Sequence, residues 1–171
     1  KRQAWVMAVE AGIAPERVIA AFEGSRAAFG RAEAFTIGES AVRMMLIKNP
    51  TGANEVLRTL CGAPNALNIV AVLNDGIADG RDVSWIWDTD FELIADRVGI
   101  ATCAGSRRNE LALRLAYSGW PQDRITVADD ALDAVHEACS NGDEVWVLAT
   151  YTAMLDLRSR LERLGTVPAR P

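Results

Sequence analysis

Histidine is nearly absent from this chain: His136 stands alone among 171 residues. It falls in a helical pattern beside Ala131, Leu132 and Val135, with no serine or cysteine companion in sequence. A self-contained nucleophile–base–acid triad is therefore not expected, since its base must touch the nucleophile and be oriented by the acid. Cysteine is scarce as well. Cys61, Cys103 and Cys139 are widely spaced and form no C-x-x-C pair, which argues against a zinc site and for a reducing cytoplasm. No Lys/Arg block interleaves with aromatic residues, and the formal net charge is −5, so nucleic acid is not an expected partner. The longest apolar runs, 42–47 and 67–73, fall far short of the roughly 20 residues a membrane span needs. No G-x-x-x-x-G-K-[ST] phosphate loop occurs, and no signal peptide is evident. The chain begins at Lys1 without methionine, inside a helical pattern, so further chain is expected before it.

Against these absences stands an ordinary globular composition, half hydrophobic and about a quarter charged. Residues 2–10 read as a helix, and Ala14-Pro15-Glu16 starts another with Val18, Ile19 and Phe22 on one face. A hinge is expected over 27–33, where Gly30 interrupts two differently patterned regions. Beyond it the pattern alternates: strands over 35–37, 42–47, 67–73, 100–103, 125–127 and 145–149, and helices over 51–60, 106–118, 129–140 and 154–164. Such alternation predicts an α/β fold with a Rossmann-like, mostly parallel sheet and flanking helices. The end, 167–171, reads as a frayed tail.

The most unusual segment is residues 73–90, LNDGIADGRDVSWIWDTD, directly after the apolar run 67–73. It holds Asp75, Asp79, Asp82, Asp88 and Asp90, with Gly76 and Gly80 permitting tight turns. In open α/β sheets, ligands gather at the carboxyl ends of strands, so this location suits function. Trp85, Ile86 and Trp87 are more apolar than a connector requires; they either pin the loop to the core or dock a partner. The plainer reading is a solvated acidic loop held by two core tryptophans. Two other readings follow from the residues alone: a magnesium-dependent phosphohydrolase using Asp75, Asp79 and Asp82, and a non-enzymatic docking module using Trp85 and Trp87. A second constellation, Lys48-Asn49-Pro50-Thr51-Gly52, joins a strand to a helix, where unpaired N–H groups and the dipole favour anions.

The order GRAE, LIKNPTGANEVLR, LNDGIADGRDVSWIWDTDFE, AGSRRNELALRL, TYTAMLDLR resembles the C-terminal domain of MurT, the Mur-ligase-like subunit of lipid II isoglutaminyl synthases. The resemblance runs from about Gly30 to Leu164, and the DGxDxSWIWDxDFE stretch is its most specific part. It implies that residues 1–30 end the preceding ATP-binding domain or its linker helices, and that 31–171 form the C-terminal domain. It further implies a GatD-like glutaminase partner that releases ammonia from glutamine. ATP and magnesium, bound mainly by the central domain, would activate the D-glutamate α-carboxylate of lipid II for amidation at the inner face of the membrane. That family's glutaminase lacks its own triad acid and takes it from the ligase subunit, in a motif matching ADGRD; this assigns Asp82. Arg31, Lys48 and Asn49 are expected to approach ATP on domain closure. The ATP loop and zinc ribbon of a complete subunit are missing here, so this stretch alone is not expected to catalyse amidation.

Overall fold

The computed structural model describes residues 33–165, together with Ala14. The helices expected before residue 30, the hinge, Arg31 and the tail lie outside the described residues.

Strand β1 (Glu33–Ile37) turns at Gly38, whose φ of 58° suits a residue without a Cβ, into β2 (Ser40–Leu46). These two pair antiparallel, and every other pairing in the sheet is parallel. The remaining strands are β3 (Leu67–Val72), β4 (Val98–Ala104), β5 (Ile125–Val127) and β6 (Val145–Ala149), and the sheet order is β1-β2-β6-β3-β4-β5. The expected mostly parallel sheet is therefore present, with one antiparallel strand at its edge.

Helix α1 (Pro50–Cys61) shows why the local sequence folds as it does. Asn49 caps it by accepting from the Gly52 N–H at 2.8 Å, and Pro50 opens it where no donor is needed. Its buried face, Ala53, Val56, Leu57 and Leu60, follows helical spacing. Helices α2 (Arg108–Tyr117), α3 (Ala131–Ala138) and α4 (Tyr151–Arg163) complete the set. The cap of α3 is Asp130, which accepts from the Leu132 and Asp133 N–H groups. The last helix starts at Tyr151, three residues before the expected Met154, because Thr150 closes β6 and the chain turns at once.

Two cores result. Alternate residues of β3 serve each: Ile69 and Ala71 face α1 and α2, while Val70 and Val72 face α3 and α4. Between β3 and β4 no α-helix forms. Two 3-10 helices, Ser84–Asp88 and Phe91–Arg97, cover that part of the first face, burying Ile86, Phe91 and Ile94. At the carboxyl ends of neighbouring β3 and β6 the chain departs toward opposite faces. That divergence creates the crevice in which α/β sheets commonly place a site.

Candidate functional site

The walls of the crevice are tied together by their own polar groups. Asn74 donates its backbone N–H to Thr150 Oγ1 at 3.0 Å and its side-chain N–H to Thr152 Oγ1 at 3.2 Å, and its Oδ1 accepts from the Ser106 N–H at 3.0 Å. Asp75 accepts from the Ser106 hydroxyl at 2.8 Å and from Arg107 at 3.2 Å. The Ser106 bond first, then Arg107, holds the Asp75 carboxyl below its usual range. Asp79 accepts from the Thr152 N–H at 2.8 Å and from the Thr152 hydroxyl, so a loop residue caps α4. Gly105, at φ 97°, passes so close that a Cβ would stand 2.5 Å from the Leu73 carbonyl oxygen.

Asp82 is placed differently. It is exposed, and its Oδ1 accepts from the Ser84 N–H at 2.8 Å, the first residue of the 3-10 helix. That bond keeps the carboxyl ionised, below its usual range. The Ser84 hydroxyl adds to the effect of its N–H on this carboxyl, which lines an open depression of about 290 Å³ together with Ser84, Trp87, Arg107 and Glu110. Of the other aspartates, Asp90 exchanges hydrogen bonds with the Asn54 side chain on α1, whereas Asp88 has no bonded partner among the described residues. Asp82 is thus oriented by a bond within its own turn while its carboxyl stays exposed beside Trp87.

The aromatic part of the segment is held by a residue that sequence reading passed over. Arg114 on α2 is 5% exposed and uses all five N–H donors. Nε donates to the Ile86 carbonyl at 3.0 Å, and Nη2 to the Thr89 carbonyl at 2.7 Å. Both terminal nitrogens fork onto Glu92, at 3.0 and 3.1 Å, and Nη1 also meets the Ser118 hydroxyl. The guanidinium lies 5.5 Å from the ring centroids of Trp87 and Phe91. Trp120 adds a bond from Nε1 to the Phe91 carbonyl at 2.9 Å. The signal was there: Arg114 occupies the buried stripe that Leu111 and Leu115 define, where a charge needs partners. Ile86 is the core residue of the expected cluster, Trp85 is half-buried, and Trp87 stands 50% exposed against Tyr117.

The remaining expected residues fall elsewhere. Lys48 and Asn49 are exposed at the start of α1; the Asn49 side chain serves as cap, and Lys48 has no bonded partner among the described residues. His136 is exposed on α3, and burial pushes the Cys103 thiol up to about 12, the inert state expected of it. The magnesium reading loses its geometry: Asp75, Asp79 and Asp82 turn to separate partners, and no group of three metal-ligating side chains converges among the described residues. Among those residues, no helix is long and apolar enough to cross a membrane.

A family model described as MurT ligase C-terminal matches residues 46–154, more than half of the chain. The chain belongs to the MurT ligase C-terminal family. The match takes in the acidic loop, the 3-10 helices and Arg114. The chain is 42% identical over 143 residues to the lipid II isoglutaminyl synthase (glutamine-hydrolyzing) subunit MurT of Streptococcus pneumoniae, covering 82% of this chain and 32% of that protein. It is 29% identical over 161 residues to the same-named subunit of Staphylococcus aureus strain COL, covering 94% and 37%. It thus spans about a third of the length of these curated relatives. Among solved structures, folylpolyglutamate synthase of Mycobacterium tuberculosis with ADP and AMPPCP aligns with a TM-score of 0.63 at 17% identity, over 91% of this chain and 36% of that one. MurF of Acinetobacter baumannii aligns at 0.58 and 16%, over 89% and 35%. At such identities these two establish the fold alone, and the MurT fold is that of their aligned third.

Proposed function

We propose that this domain serves a glutamine-dependent, ATP-driven ligase that amidates the D-glutamate α-carboxylate of lipid II, acting in the cytoplasm at the membrane face. In this reading Asp82 is lent to the triad of a GatD-like glutaminase subunit. The observation that carries it is the contrast within one loop: Asp82 is held by Ser84 within its own turn and stays exposed, while Asp75 and Asp79 are half-buried and bonded to distant elements. A carboxylate so placed can accept a hydrogen bond from an incoming imidazole, fix its tautomer and stabilise the imidazolium. The names of the relatives support the substrate class.

The ligase half would use the neighbouring carboxyl end of β2, where Asn54 early in α1 is hydrogen-bonded to Asp90. Lys48, without a bonded partner among the described residues, is a cation able to meet a nucleotide phosphate on closure; Asn49 shapes the helix start beside it. Arg31 would join them, and Arg31→Ala in the complete subunit raises KM for ATP; an unchanged KM removes Arg31 from this role.

The deciding experiment uses the complete subunit with its glutaminase partner. Asp82→Asn abolishes glutamine-driven amidation but spares amidation driven by added ammonium, because only the ammonia-releasing half loses its acid. Full glutamine-driven turnover in the variant would sink the assignment.

A further inference from the structure

Trp87 is 50% exposed, and its ring meets Tyr117, 73% exposed, edge to face at a centroid distance of 5.8 Å. Leu113, 52% exposed, lies one turn before Tyr117 on α2 and extends the same apolar face. The ledge is rigid for a stated reason. Arg114 lies beneath Trp87 with every donor engaged, so the indole is braced from behind. A pre-ordered aromatic surface loses little side-chain entropy when covered, which is why tryptophan and tyrosine dominate the energetics of protein interfaces. The stretch beside the ledge is net negative. Residues 81–92 hold four carboxylates and one guanidinium, and only the Glu92 carboxylate is matched by an arginine.

We propose that Trp87 and Tyr117 form the docking surface for the glutaminase subunit, received by an apolar pocket with a basic rim. The inference rests on the reading of Asp82 given above and adds the contact residues and the chemistry of the partner's face. Trp87 and Asp82 line the same depression, so a protein that brings an imidazole to Asp82 also covers the indole. The carboxylates around the ledge steer a basic face toward it and set the rate of encounter.

The test measures the dissociation constant between the complete subunit and its glutaminase partner, purified separately. Trp87→Ala and Tyr117→Ala each raise Kd about tenfold or more. Tyr117→Ala keeps its melting temperature, because the ring is mostly in solvent. Asp88→Asn flattens the salt dependence of the association rate. Leu164→Ala, an equally exposed apolar residue at the end of α4 on the opposite layer, leaves Kd unchanged. Wild-type affinity in both aromatic variants overturns the proposal, as does loss of self-association of the subunit without loss of partner affinity. The two readings fail separately. Absence of any wild-type binding defeats both, whereas normal turnover in Asp82→Asn with weakened binding in Tyr117→Ala defeats the triad assignment and leaves the ledge standing.

Discussion

The two ends of the loop after β3 spend the same residue type in opposite ways. Over residues 74–79, polar side chains cross-link three elements: Asn74 ties β3 to Thr150 and Thr152, Asp75 ties it to Ser106 and Arg107, and Asp79 caps α4. Over 82–88, among the described residues, Asp82 is bonded only within its own turn, Asp88 has no bonded partner, and Trp87 stands out over Arg114. A carboxylate with both oxygens bonded to donors of its own chain is committed to holding elements together, so the first stretch is architecture. The second is held rigidly by its backbone carbonyls and a buried guanidinium while its functional groups stay outward. Rigidity of the scaffold combined with unsatisfied polar tips is what a site completed by another molecule requires.

The contrast can be broken from either side. The largest effect expected is at Asp82→Asn in the assembled pair, where glutamine-driven turnover drops on the order of 10⁴-fold, as when an imidazole loses its orienting acid, while Kd shifts by less than about threefold. On the architectural side, Gly105→Ala combines a positive φ with a Cβ 2.5 Å from the Leu73 carbonyl. It costs about 3 kcal/mol of stability, read from urea unfolding. Arg114→Met strips the Ile86 and Thr89 carbonyls of their donors and costs about 2–3 kcal/mol. Unlike Gly105→Ala it also weakens partner binding, because Trp87 loses its brace. Asp79→Ala removes the cap of α4 for about 1 kcal/mol, leaving glutaminase turnover at the wild-type level; a large loss of turnover there would erase the distinction between the two stretches.

Much of the frame was legible in the residues. The run 67–73 is apolar at every position but Asn68 because β3 is covered on both faces, and Leu73 is buried just beyond its end. Asn49-Pro50 announced the start of α1 and Asp130 that of α3, since caps are chosen by local chemistry. The segment 84–97 was not legible as structure. Its apolar residues fit neither helical nor alternating spacing, and its two 3-10 turns owe their form to Arg114 and Trp120, which lie far along the chain. Of the candidate site, Asp82 was assigned through a family motif; the residues alone left five aspartates open.

By itself the sequence determined the α/β alternation, the position of the acidic loop after the central buried strand, and membership of the MurT ligase C-terminal family. These rest on periodicity, capping and motif order, all of which act over a few residues. Only the tertiary structure decided which aspartates of that loop are bonded to distant elements. Ser106, Arg107, Thr150 and Thr152, from distant parts of the chain, converge on Asn74, Asp75 and Asp79 and hydrogen-bond them. None of them reaches Asp82.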